Sequence, residues 1–401
     1  MKWLFDKLIN NDKIDLNDFI RLEGKNFPLL YKLESTEQDS EWHQEGNVHT
    51  HTEMVLTEMF KLIEINEFEL SNDEKVILVL SAIFHDIGKT LTTKVVDIDG
   101  RDRVISPKHP EVGASYLQYR LDSSIEDKEI KKQVIDIVMH HHDVKKCIQG
   151  KPFESKLLYI TRNVSGKLLY LLEVADIKGR ECPDKDMLLF ELEVFRSYAE
   201  DYDCFHNTGD LENQLKRYFN NSDIDVNVNS YTFIKTKYDL LNNIIEEPHI
   251  GLSKHYVTKN PSVGNILVGL SGSGKSSTAK LLFQESGMEI ICPDNLRTGN
   301  KKEDRKEAYR KMLEMVKNAL RDGRHFIVDA TNIREDARNK IHAMIEQYGG
   351  LSCIIFMETA VDACIYHDKK RDVDNQVGKD VILKQMDKFQ AIKDKRYHMV
   401  I

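Results

Sequence analysis

Apolar positions recur with two different rhythms along this chain, and the change of rhythm divides it. From about residue 15 to about 200 the spacing is helical. Residues 76–84 are apolar apart from Ser81 and hold no glycine or proline, which predicts a buried helix running into His85-Asp86. Residues 131–142 repeat apolar side chains at Val134, Ile135, Val138 and Met139, and 168–175 form a similar run ending at Asp176. Between about 205 and 260 the pattern fades. Asn220-Asn221-Ser222-Asp223 and Asn227-Val228-Asn229-Ser230 read as loops, followed by a helix predicted over 236–245, so the region reads as a connector. After Pro261 short apolar runs at 265–270, 325–329 and 352–357 predict strands, with helices over 304–321 and 335–347 between them. Strand–helix–strand alternation predicts a parallel sheet. The expected fold is multidomain: an all-α N-terminal domain (1–205), a partly helical connector (206–260) and an α/β domain with a parallel sheet (261–401).

Composition narrows the picture only slightly. The 401 residues suffice for two or three domains. No apolar run approaches the length of a membrane span, and the first residues lack the apolar core of a signal peptide. Six dispersed cysteines without a C-x-x-C pair point to reduced thiols and a cytoplasmic location. Against 57 Lys and Arg stand 66 Asp and Glu, a net charge of −9. That argues against broad coating of a nucleic-acid duplex but not against a grip on a few phosphates at a strand end.

The strongest chemical signal follows the first predicted strand. Gly269-Leu270-Ser271-Gly272-Ser273-Gly274-Lys275-Ser276 fits G-x-x-x-x-G-K-[ST]. Glycines let backbone N–H groups close around a phosphate; Lys275 neutralises the β and γ oxygens, and the Ser276 hydroxyl holds Mg²⁺ where a helix begins at Ser277. The expected ligand is ATP or another nucleoside triphosphate with Mg²⁺, bound by Gly269, Ser271, Gly272, Ser273, Gly274, Lys275, Ser276 and Ser277. A strand candidate at 288–291 then leads into Cys292-Pro293-Asp294-Asn295-Leu296-Arg297. This places Asp294 and Arg297 at a strand's C-terminal edge, where a carboxylate can take a hydroxyl proton and a guanidinium can clamp a phosphate. These residues resemble the phage-type polynucleotide 5′-kinase family. The resemblance makes Asp294 the general base for a 5′-OH and Arg297 the holder of the terminal nucleotide's phosphate. Asp329, in Asp329-Ala330-Thr331-Asn332, then either orients the acceptor or is a structural strand-end carboxylate. Arg371 becomes the lid arginine that stabilises the transferred phosphoryl group. The sequence departs from the family at His367, where an arginine is expected.

A second constellation lies in the N-terminal half: His51 in Gly46-Asn47-Val48-His49-Thr50-His51-Thr52, His85-Asp86 with Lys89, His109, the triplet His140-His141-His142, and Asp176. Imidazoles and carboxylates suit one or two ions of Mn²⁺, Ni²⁺, Co²⁺, Fe²⁺ or Zn²⁺. Such ions stabilise the oxyanions of a phosphoester, and Lys89 would neutralise its phosphate. The ordered set resembles the HD phosphohydrolase superfamily, which implies metal ligation by His51, His85, Asp86, His109, His140, His141 and Asp176. His49 competes with His51, and His142 is a further member of the triplet. His43 is either near the substrate or structural.

An HD domain joined to a polynucleotide-kinase-like domain resembles the bacterial HD-domain polynucleotide kinases. That resemblance implies end healing of RNA or DNA: phosphorylation of a 5′-OH, and removal of a 3′-phosphate, 2′-phosphate or 2′,3′-cyclic phosphate, so that a separate ligase can seal the ends. Two other readings stay open. One is a nucleoside or nucleotide kinase fused to an HD nucleotidase; the other is a nucleotide-sensing switch with a non-catalytic HD domain.

Overall fold

The protein, seen in a computed structural model, is described over residues 1–148, 153–220, 231–255, 261–299 and 301–401. The expected loops at 221–223 and 227–230 lie outside these residues. Two compact units emerge, Met1–Asn213 and Gln214–Ile401.

The first unit is built around the helix Asn72–Phe84. A reciprocal cap starts it: the Ser71 hydroxyl accepts the Glu74 N–H while the Glu74 carboxylate accepts the Ser71 N–H. Every side chain from Val76 to Phe84 is buried, because helices pack on this one from several sides. They are Val48–Ile65, Lys128–His140 and Gly166–Lys178. Asn47 caps the first of these by accepting the Thr50 N–H, and Asp127 caps the second. The predicted helices at 76–84, 131–142 and 168–175 therefore form; each starts earlier than predicted, the first two at side-chain caps on Ser71 and Asp127, and the second ends at His140. The helical unit also carries an antiparallel hairpin, β1 (Lys94–Ile98) and β2 (Arg101–Ile105). Asp99 and Gly100 both take positive φ at its tip, the geometry that matches strand twist in a two-residue turn.

The second unit holds five parallel strands in the order β4-β5-β3-β6-β7. They are β3 (Val263–Val268), β4 (Glu289–Ile291), β5 (Phe326–Val328), β6 (Leu351–Phe356) and β7 (Met399–Val400). Leu267, Ala279 and Ile327 form one buried cluster where β3, β5 and the helix Lys275–Ser286 meet. The expected strands fall within about two residues of those observed; β7 is too short to leave a periodic signal. The helix expected over 236–245 occupies Tyr231–Leu241 and stops before Asn242-Asn243, where Asn243 takes φ 57°. It packs on the α/β core: Lys235 pairs with Glu346 at 2.5 Å, and Tyr238 meets His342 at 3.1 Å. Among the described residues no helix is long and apolar enough to cross a membrane.

Candidate functional site

In the N-terminal unit, histidines from separate helices aim their Nε2 atoms at one buried volume. The aim is set from behind. His85 Nδ1–H donates to the Ala82 carbonyl, His109 Nδ1–H to Ser106 and His141 Nδ1–H to Val138, each at 2.8 Å. A carbonyl only accepts, so each ring carries its proton on Nδ1 and leaves Nε2 bare for a cation. For His51 the same task falls to a carboxylate, with Glu45 Oε1 lying 2.9 Å from Nδ1.

Two carboxylates complete the cluster. Asp86 Oδ2 takes Lys89 Nζ at 2.7 Å, and Asp176 Oδ2 takes Arg180 at 2.6 Å. Their other oxygens face the imidazoles: Asp176 Oδ1 is 2.9 Å from His51 Nε2, and Asp86 Oδ1 is 3.1 Å from His109 Nε2. His85 Nε2 lies 3.3 Å from both Asp86 Oδ2 and His51 Nε2. The approach depends on Gly88. A Cβ there would stand 2.0 Å from the His109 carbonyl oxygen, so only glycine lets the His85-Asp86 turn meet the His109 helix.

The cluster fits a metal. Asp86 Oδ1, Asp176 Oδ1, His109 Nε2 and His141 Nε2 are buried without a hydrogen-bond partner, close to one another's neighbours, as ligand atoms are. His51, His85 and Asp86 can ligate a cation together, and so can His109, His141 and His142, with Asp86 reaching both groups. Electrostatics agree. Burial acts to raise Asp86, but Lys89 and His85 outweigh it and hold the carboxylate well below its usual range. Burial pushes His141 down to about 3, with His109 and His85 adding to the effect, so it is neutral and free to ligate. Burial also opposes protonation of His85, yet Asp86 and Asp176 overcome it and raise that pKa, a mark of a site that demands positive charge.

Of the expected residues, His51, His85, Asp86, Lys89, His109, His141 and Asp176 come together here. His140 lies apart: its Nδ1 faces Asp143 at 2.9 Å and its ring stands edge-on to Tyr159, whereas His142 joins His109 and His141. His49 bonds Asn17 on the surface. Sequence reasoning missed Glu45, Gln38 and Arg180. Gln38 accepts from Lys89 at 2.6 Å across 51 residues, and no local pattern announces such a contact. A cavity of about 460 Å³ opens beside the cluster, lined by Lys89, His109 and His142 among others.

In the second unit the predicted phosphate loop joins β3 to the helix Lys275–Ser286. Gly272 and Gly274 take φ of 83° and 97°, and the loop is tied at Ser271, whose N–H and hydroxyl both bond Gln385, 114 residues on. His367 Nδ1–H donates to the Gly272 carbonyl at 3.0 Å, so the residue standing where arginine was expected braces the loop. Lys275 Nζ folds back onto the Leu270 carbonyl at 2.6 Å. Burial brings its pKa down to about 8, against the pull of Asp329 and with help from Arg371, which places both residues in its electrostatic surroundings. Ser276 and Ser277 open the helix, and Gly269 N–H bonds Thr331 O at 3.0 Å.

The remaining expected residues follow strand ends. Asp294 sits in the turn Pro293–Leu296 after β4 and pairs with Arg297 at 2.5 Å, with 67% of the Asp294 side chain exposed. Asp329 follows β5 and is buried. Arg371 follows the helix Val361–Lys369 and approaches Asp368 at 3.6 Å. Asp368, missed from sequence, also accepts the N–H groups of Val377 and Gly378 and so shapes the segment that carries Arg371.

Comparison with known families agrees with this division. Residues 48–163 match the HD domain family, and residues 265–393 match an AAA domain family. A helical HD domain is followed by a P-loop kinase-type domain. Asp176 lies past the matched HD segment, and only the tertiary fold brings it to the cluster. Solved structures similar to the chain include a sugar kinase from a Janibacter species, at 17% identity over 35% of this chain and 85% of that one, TM-score 0.29. A gluconokinase from Sinorhizobium meliloti 1021 has 16% identity over 35% and 80%, TM-score 0.28. The Mycobacterium tuberculosis APS kinase has 23% identity over 35% and 89%, TM-score 0.27. No curated protein matches the chain. The P-loop kinase-type domain implies a nucleotide with Mg²⁺, and the HD domain implies a metal.

Proposed function

We propose that this protein heals broken RNA or DNA ends. The kinase-type domain phosphorylates a 5′-OH from ATP or another nucleoside triphosphate, and the HD domain removes a 3′-phosphate, 2′-phosphate or 2′,3′-cyclic phosphate. The observation that carries the reading is the Asp294–Arg297 pair, open to solvent at the end of β4, with Asp294 within electrostatic reach of Lys275. An acceptor phosphate that takes Arg297 frees the Asp294 carboxylate, so the base becomes available only when a phosphorylated strand end is seated. An open pair suits a polymer end, which must enter with its chain trailing outside.

In the kinase reaction Asp294 accepts the 5′-OH proton as that oxygen bonds the γ-phosphorus, and the bond to the β,γ-bridging oxygen breaks to release the diphosphate. Lys275 and Arg371 carry the phosphoryl charge, Ser276 is the hydroxyl that would hold Mg²⁺, and Asp329 stands behind the acceptor. At the HD site His51, His85, Asp86 and Asp176, with His109 and His141, are the proposed metal holders, and His142 is placed to join them. The metal supplies Lewis acidity to the phosphoester. Lys89 neutralises the phosphate, and hydrolysis returns a hydroxyl end that a separate ligase can use.

The test is a 5′-OH, 3′-phosphate RNA oligomer incubated with ATP, Mg²⁺ and Mn²⁺ and resolved by gel. Wild type should change both ends, Lys275→Ala only the 3′ end and Asp86→Ala only the 5′ end. Reaction of free nucleosides or nucleotides with neither strand end changed would mean a small-molecule kinase and nucleotidase. Metal content below one ion per chain with no phosphoester cleaved would mean a sensing switch.

A further inference from the structure

The cavity beside the metal cluster has a feature that phosphate chemistry does not need. Trp42 lines it together with His43, Lys89, His109 and His142. Large aromatic rings in this protein mostly sit against other rings, but Trp42 has no ring partner among the described residues and is 38% exposed. Its position is nevertheless braced. The Trp42 backbone N–H donates to the Asp39 carbonyl, and the Asp39 carboxylate is gripped by Arg103 of β2 through two bonds, of 2.7 and 3.0 Å. Arg103 also holds Glu41 at 2.7 Å. The bidentate Arg103–Asp39 pair and the single contact to Glu41 hold the turn that carries Trp42, so less backbone freedom is left to lose on binding.

The rest of the wall supplies charge. Lys108, exposed in the same cavity, makes no ion pair among the described residues and takes φ 58°, a backbone conformation that lysine adopts only when its surroundings enforce it. Three carboxylates also face the cavity, and none is free: Arg103 engages Asp39, His140 and Lys146 engage Asp143, and Glu111 has a partner of its own. The cavity is thus lined by imidazoles, the engaged ammonium of Lys89, the Trp42 indole and the unpaired ammonium of Lys108. Its volume of about 460 Å³ falls in the range of about 300–1,000 Å³ usual for small-molecule sites.

We propose that Trp42 is the stacking platform for the base of the terminal nucleoside whose phosphate enters the His/Asp cluster, and that Lys108 takes the next phosphate of the strand. Trp42 is then a specificity residue: it favours phosphoesters that carry a base and leaves the hydrolytic step itself to the cluster. This assignment rests on the reading of the N-terminal site as a phosphohydrolase for nucleic-acid ends.

Trp3 is the other tryptophan, so Trp3→Phe leaves Trp42 as the sole indole reporter. That protein is titrated with a short 3′-phosphorylated RNA and with the same strand ending in an abasic 3′-phosphate. Quenching of Trp42 by the base-ended strand alone is expected, whether or not metal is bound. In hydrolysis by the metal-loaded full chain, Trp42→Ala should raise KM for the base-ended strand about tenfold, about 1.4 kcal/mol and within the range of one base–aromatic stack. It should leave KM for the abasic strand unchanged, and Trp42→Phe should recover most of the loss. Lys108→Ala should weaken binding of the strand but not of a nucleoside 3′-monophosphate. An equal loss on both strands from Trp42→Ala, or no quenching by the base-ended strand, overturns the platform. If the base-ended strand quenches Trp42 but wild type hydrolyses no strand end, the platform stands and the end-healing reading falls.

Discussion

Replacing Glu45 by glutamine keeps the shape of the side chain and removes its charge. In the protein Glu45 is enclosed, with 2% of its side chain exposed. Its Oε1 accepts from His43 Nδ1 at 2.8 Å and faces His51 Nδ1 at 2.9 Å, while Oε2 accepts the Glu181 N–H at 3.1 Å. Burial acts to raise its pKa, but the bonds from His43 and His51 prevail and hold it well below the carboxylate range. A carboxylate obliges both imidazoles to present Nδ1–H. A glutamine offers one oxygen and one NH₂, so when the amide NH₂ faces His51 the ring must accept at Nδ1 and carry its proton on Nε2, the atom facing Asp176. That tautomer cannot ligate. Loss of such a supporting group typically costs about 10- to 100-fold in metal affinity, about 1.4 to 2.7 kcal/mol. The assay is Mn²⁺ or Ni²⁺ affinity of the full chain, measured by competition with a chelating dye and paired with a thermal melt of the metal-free protein. Wild-type affinity in Glu45→Gln, with the melt unchanged, would show that Glu45 does not orient His51 for a metal.

Three further outcomes can be checked. Arg338 is fully buried and donates to the carbonyls of Asn332, Gln390 and Ala391, so Arg338→Met strands three acceptors. It should cost about 3–5 kcal/mol in urea unfolding of the second unit, and a loss under about 1 kcal/mol would contradict this. Burial, with His398 adding to it, lowers His342 from 6.5 to about 4. The unfolded chain therefore binds a proton before the folded one does. Stability from neutral His342 is complete above pH 6.5 and falls as pH drops from 6.5 towards 4, by up to about 3 kcal/mol. Thermal melts at pH 7.5 and 4.5 should show this fall, and His342→Gln should flatten it. Gly272→Ala places a Cβ 2.2 Å from the Cys364 carbonyl oxygen at φ 83°. Nucleotide binding by calorimetry should weaken at least about tenfold while metal binding at the HD cluster is unchanged.

Much of this protein is legible in the sequence because its signals are local. The run 76–84, apolar but for Ser81, reads as a helix enclosed by others, and the strand–glycine–lysine order at 263–276 carries both a fold and a ligand chemistry within a few residues. The hairpin at 94–105 left a weaker local trace, the Asp99-Gly100 pair. Tertiary structure alone decided which groups share a site. Glu45 and Gln38 sit in irregular backbone with no period to mark them, and they reach His51 and Lys89 only because the 38–47 segment folds across the helix ends. The triplet shows the same limit: three adjacent histidines are equivalent in sequence, but a helix ending at His140 turns that ring towards Asp143 and Tyr159 and leaves His141 and His142 beside His109. Residue types and spacings determine which chemistry is available. Which atoms meet is set by side-chain direction at helix ends, and that depends on packing partners far away in the chain.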